Sequence, residues 1–153
     1  MVYDWLASDE LVQFSEVFDY SAIGVNFIFN SGAAYTIRWF NGNRIECLTS
    51  EVFNPPRTGP DSFKVDRSVR WHEVLGATVV DQYHSYIETG SGEMAPWCTR
   101  LVFDNGHSIV VFLGDVDSEG RPIASADSLL VTSDEDAARG YELHSGQNAW
   151  PEA

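Results

Sequence analysis

Asp115, Asp117 and Glu119 alternate ahead of Gly120, and in this chain that is the spacing nearest to a metal loop. Alternate carboxylates before a glycine open the calcium loop of an EF-hand. Such a loop closes on a bidentate Glu at its twelfth position, where this sequence has Ala126. The stretch therefore reads as a solvated hairpin loop. His72, His84, His107 and His144 have no mutual ligand spacing, and none stands beside a Ser or Cys in a nucleophile motif. Cys47 and Cys98 lie in strand-like segments with no Cys-x-x-Cys pattern, and read as unpaired thiols packed as small hydrophobes. Gly90-Ser91-Gly92 is followed by Glu93, whose charge would repel a phosphate. No catalytic set, metal site or cofactor site assembles from these residues.

Recognition is the chemistry left. Nine basic residues stand against 23 acidic ones, a net charge of −14. That excludes a nucleic-acid binder, which needs clustered Lys and Arg to meet phosphates. It suits either solubility alone or a cationic protein partner drawn in by the field. Tyr83, Tyr86, Trp97 and Trp71 flank Asp81, Glu88 and Glu93, and aromatic rings beside carboxylates can receive Lys and Arg side chains. The alternative for each ring is a place in the core. The expected partner-binding set is Asp81, Tyr83, Tyr86, Glu88, Glu93, Trp97, Asp115, Asp117 and Glu119.

Two hairpins must position these residues. Leu101-Val102-Phe103 runs into Asp104-Asn105-Gly106, and Ile109 to Leu113 runs out again. A three-residue loop with Gly106 in the left-handed conformation sets Leu101 opposite Ile109 and Phe103 opposite His107. It gathers Leu101, Phe103, Ile109, Val111 and Leu113 on one face, whereas a two-residue turn would not. Val25 to Gly32 lines up with Thr99 to Gly106 at a shift of 74 positions. The same loop length there collects Val25, Phe27, Phe29, Tyr35, Ile37 and Trp39. Downstream, Leu48-Thr49-Ser50 matches Val131-Thr132-Ser133 at a shift of 83, and upstream Val17–Tyr20 matches Val80–Tyr83 at a shift of 63.

This pattern predicts an α+β fold, mostly antiparallel sheet, built of two tandem helix-plus-β-meander repeats related by a pseudo-twofold axis. The repeats span 1–60 and 61–141 of one compact domain, with a tail over 142–153. A short amphipathic helix is expected over Met1–Val12, either ending before a strand at Phe14–Tyr20 or running on to Phe18. Asn54–Pro60 is the joint, and Asp66 caps a second helix that Gly76 stops. Thr78–Glu88 is a long strand. Ser133 caps a helical turn through Arg139, with Asp134, Glu135 and Asp136 at its positive end.

The φ-x-F-[DN]-x-G-x-x-φ-x-φ pattern, Leu101 to Val111 and again Phe27 to Ile37, resembles small bacterial proteins of the toxin-immunity type. The resemblance implies an inhibitor of a toxin domain and carries over no particular residues. Together with the charge, it points to an immunity protein that blocks a basic toxin such as a nuclease. The alternative is a small-ligand-binding domain or enzyme with a cleft between the repeats. No run approaches the roughly 20 apolar residues of a membrane span. Met1–Glu10 lacks the charged and apolar regions of a signal peptide, so the chain is expected in the cytoplasm without a membrane partner.

Overall fold

A computed structural model describes residues 2–6, 19–21, 24–29, 34–40, 44–50, 62–64, 73–88, 91–119, 122–123 and 128–139. Within them the chain forms two five-stranded antiparallel sheets, a two-stranded ribbon and one short helix. Sheet I contains β1 (Val2–Leu6), β3 (Gly24–Ile28), β4 (Ala34–Phe40), β5 (Arg44–Ser50) and β6 (Ser62–Lys64), in the order β5-β4-β3-β1-β6. Sheet II contains β2 (Asp19–Ser21), β7 (Val79–Glu88), β8 (Met94–Phe103), β9 (Ser108–Leu113) and β12 (Leu129–Thr132), in the order β2-β12-β9-β8-β7. Asp115–Val116 (β10) and Pro122–Ile123 (β11) make the ribbon, and α1 spans Glu135–Arg139.

The hairpin registers follow from the loop chemistry. Leu101 faces Ile109, and the Phe103 N–H donates to the His107 carbonyl at 2.9 Å. The Gly106 N–H donates to the Phe103 carbonyl at 3.0 Å, with Gly106 at φ 85°, which a residue without Cβ adopts freely. In the first hairpin Phe27 faces Tyr35 and Val25 faces Ile37, the same register 74 positions earlier. Val25, Phe27, Ile37, Leu101, Ile109 and Val111 are buried in one core shared by both sheets. The Trp39 and Cys47 side chains lie outside what the structure describes.

The expected α+β class is overturned: the described chain is antiparallel sheet with a single short helix, and the units are not helix-plus-meander. Val2–Leu6 is a strand, held by pairing with both β3 and β6. Its apolar spacing fits a helix, but Val2, Tyr3 and Trp5 are strand formers, and the ladder on both sides decides. The described end of the second expected helix, residues 73–76, is a turn, with Gly76 in the left-handed conformation at φ 78°. Residues 66–72, the joint at 54–60 and the tail at 142–153 lie outside the described residues. Ser133 does not cap α1. Asp134 does, its carboxylate accepting the Ala137 N–H at 3.0 Å.

The strands repeat in a different way. β1-β3-β4-β5 and β7-β8-β9-β12 are the same four-stranded meander, so β7 corresponds to β1. The upstream match of Val17–Tyr20 with Val80–Tyr83 fails at its described residues, because Asp19 and Tyr20 lie in β2, which belongs to sheet II and pairs with β12, while Val17 and Phe18 lie outside the described residues. The downstream match is one residue out of step. Cys47 opposite Ile37 corresponds to Val131 opposite Val111, which makes the shift 84. Neither sheet respects a boundary at 60/61, since β2 sits in sheet II and β6 in sheet I.

β9 and β12 of sheet II are buried on both faces. Leu101, Ile109 and Val111 line the face toward sheet I, where the Gln82 side chain hydrogen-bonds the Tyr35 hydroxyl. Val110, Phe112 and Leu130 line the other face at 0% exposure, and α1 packs against β9 and β12 there. No helix among the described residues is long and apolar enough to cross a membrane.

Candidate functional site

The second face of sheet II carries a buried polar cluster. Arg100, on β8, donates from Nε (3.1 Å) and from a terminal nitrogen (2.9 Å) to one carboxylate oxygen of Glu135, at the start of α1. Ser108, on β9, donates to the same oxygen. The Tyr83 ring lies 5.7 Å from the Arg100 guanidinium carbon, a cation–π contact. A guanidinium with 9% of its side chain exposed must be neutralised to stay in the core, and Glu135 does so. The arrangement is closed and paired, which suits structure rather than reaction. Cys98 is buried nearby. Burial pushes its thiol up, Arg100 only partly opposing, so no thiolate forms at neutral pH.

His84 is half-buried, with Nδ1 2.8 Å from the Thr99 hydroxyl and its ring edge-on to Tyr86. Burial lowers its pKa below the ordinary histidine value. His107 lies 3.4 Å from the Glu73 carboxylate at the exposed turn. The Asn105 amide donates to the Glu73 carbonyl at 2.6 Å, which ties that turn to the segment preceding β7. His72 and His144 lie outside the described residues. Among the described residues, no three His, Cys, Asp or Glu side chains gather in a way that could hold a metal ion.

The expected partner residues separate into three groups. Trp97 is buried at 8% exposure within the core, and Tyr83 is half-buried against Arg100. Asp81 is exposed near the start of β7, opposite Val102, and Tyr86 is half-buried opposite Pro96. The third group comes together. Glu88 faces Met94 where β7 turns into β8, through Glu93 and Gly92 at φ 82°. Cys98 faces Phe112, so β9 runs toward this same end and delivers Asp115, Asp117 and Glu119 beyond it. Ser128 pins that end, its hydroxyl donating to the Gly114 carbonyl at 2.8 Å. Asp117 accepts the Glu119 N–H at 2.9 Å, an Asx turn that shapes the loop.

No family model, curated protein or solved structure matches this chain. Five carboxylates share one end of sheet II, and Met94 and Ile123, both exposed, lie among them. Such a surface can seat Lys and Arg side chains through charge and their methylene stems through apolar contact. Sequence reasoning found the carboxylates but not Met94 and Ile123. Ile123 follows Pro122 in a polar stretch, and its place opposite Asp115 needs the ribbon to be known.

Proposed function

We propose that this chain is an acidic cytoplasmic binding protein whose partner is a basic protein, with an immunity protein blocking a toxin such as a nuclease as the specific form. The observation that carries this reading is the gathering of Glu88, Glu93, Asp115, Asp117 and Glu119 at one end of sheet II, beside exposed Met94 and Ile123. A nuclease must present cations to phosphate, and a molecule of charge −14 can occupy that surface and reach it quickly. The paired Arg100–Glu135 cluster and the protonated Cys98 thiol leave the buried interior to structure.

The test is a triple variant, Asp115→Asn, Asp117→Asn and Glu119→Gln, measured against the product of the neighbouring reading frame. The association rate at low salt should fall by about tenfold or more, and the wild-type rate should lose its advantage as salt rises. The melting temperature should hold, because these residues lie outside the core. An unchanged rate at low salt removes the loop from the interface, and no binding by the wild type removes the reading.

A further inference from the structure

In sheet I the outer edge of β1 is occupied. β6 pairs with it antiparallel, Lys64 opposite Asp4, Phe63 opposite Trp5 and Ser62 opposite Leu6. The counterpart edge in sheet II belongs to β7. Asp4 faces Asn26, Tyr83 faces Arg100, and Asn26 and Arg100 are equivalent through the hairpin shift, so Asp4–Leu6 corresponds to Tyr83–Ser85. β7 is ten residues long and ends its sheet, and among the described residues no strand pairs with its outer side.

Hydrogen-bond alternation says which amides face out. The Phe103 N–H points to β9, and the Asp104 N–H points the other way, to the Thr78 carbonyl at 2.9 Å. Odd-numbered residues of β8 therefore bond to β9, and Val102, Arg100 and Cys98 bond to β7. Their partners Asp81, Tyr83 and Ser85 turn their backbone groups inward to β8. Gln82 and His84 turn theirs outward. This strand carries Asp81 and Glu88, both exposed, and no Lys or Arg.

Building on the function proposed above, we infer that the outer edge of β7 takes up an extended basic segment of the partner as an antiparallel strand, as β1 takes up β6. Backbone pairing gives such a complex its affinity, and side chains at alternate positions give its specificity. Charge selects the occupant. Two copies of this chain bring −14 each to the contact and repel, whereas a Lys-bearing strand meets Asp81 and Glu88. The irregularities in pairing at Val79/Asp81 and Ser85/Tyr86 confine the regular edge to Asp81–Ser85, the stretch that holds Gln82 and His84.

The experiment is amide exchange by NMR on the full chain, titrated with a synthetic nine-residue peptide alternating Val and Lys. A matched peptide with Glu in place of Lys is the control. Exchange at Gln82 and His84 should slow by about tenfold or more with the Lys peptide only, while Asp81, Tyr83 and Ser85 do not change. Gln82→Pro removes one outward N–H without touching the ladder to β8, and should abolish the protection. Gln82→Ala, which loses only the bond to Tyr35, should retain it. Protection confined to the 88–94 and 115–119 loops overturns strand addition and leaves the acidic-end reading standing. Failure of the Lys peptide to bind also overturns it, while the triple loop variant decides the function separately. Concentration-dependent protection of Gln82 and His84 without peptide assigns the edge to a second copy and overturns the proposal.

Discussion

Thr36 and Arg38 stand in the first hairpin where Val110 and Phe112 stand in the second, at the same places in the same register. The inner faces match: Phe27 and Ile37 in one, Leu101 and Val111 in the other, all buried. The outer faces part company. Thr36 is buried and Arg38 half-buried, both polar, whereas Val110 and Phe112 are apolar at 0% exposure and their face is packed by α1. One hairpin geometry thus carries a polar outer face in one sheet and an apolar one in the other, and among the described residues it is the apolar face that takes a second layer, α1. The unbroken run Ile109 to Leu113 is the sequence form of a strand buried on both sides. Polar residues on that second face then need partners, which is why Arg100 and Ser108 converge on Glu135.

Exchanging the two outer-face residues is the strongest way to break this comparison. Phe112→Arg puts an unpaired charge where a ring is wholly buried, and should cost about 4 kcal/mol or more in urea unfolding. Arg38→Phe should cost less than about 1 kcal/mol, because Arg38 is itself only half-buried. Equal costs would mean that the two outer faces are alike. Next in size is Glu135→Ala, which strands the Arg100 guanidinium and should cost about 2–3 kcal/mol, discounted because Glu135 keeps 29% of its side chain exposed. The double variant Arg100→Met with Glu135→Leu should recover most of that loss in the same assay. A Glu135→Ala protein as stable as wild type would show that α1 does not hold the second layer.

The smallest effect is one of pH. His84 on β7 stands where β1 has Trp5, so a titrating ring distinguishes the second sheet from the first. Burial lowers the His84 pKa, so the native state prefers the neutral ring. Stability is then full above the ordinary histidine pKa of about 6.5. It falls as pH drops from there toward the lowered native value, because the unfolded chain binds the proton first. Urea midpoints across that window should decline for the wild type and decline less for His84→Gln. Parallel pH profiles for the two would remove His84 as the source.

Some of this molecule could be read before any coordinates. The hairpin registers were legible because in each hairpin only a three-residue loop gathers the apolar residues on one face. β1 was not, since Val2, Trp5 and Leu6 satisfy helical spacing as well, and only pairing with β3 and β6 makes them a strand. Its equivalence to β7 was hidden because the two segments share no residue pattern, while Asp19 and Tyr20, the described part of the segment that does resemble β7, form β2 on the far side of β7's own sheet. Glu135 was expected only as a favourable charge in the first turn of α1. Its pairing with Arg100, 35 positions away, depends on where β8 and α1 meet. The loop carboxylates were visible as residues, but their meeting at one end required the direction of β9.

The placement of β2 and β6 has a kinetic consequence. β2 completes sheet II by pairing Tyr20 with Leu130, and β6 completes sheet I by pairing Lys64 back to Asp4. Sheet I needs no residue beyond Lys64, whereas sheet II is incomplete until β2 from the first half of the chain meets β12 near the end of the second. The Tyr20–Leu130 closure spans most of the chain, and its loop entropy is lost before the pairing is gained. During synthesis the nascent first half waits with β2 unmatched. Maturation should therefore be slow relative to local hairpin formation, with the two hairpins as early islands and β2 as the last stitch.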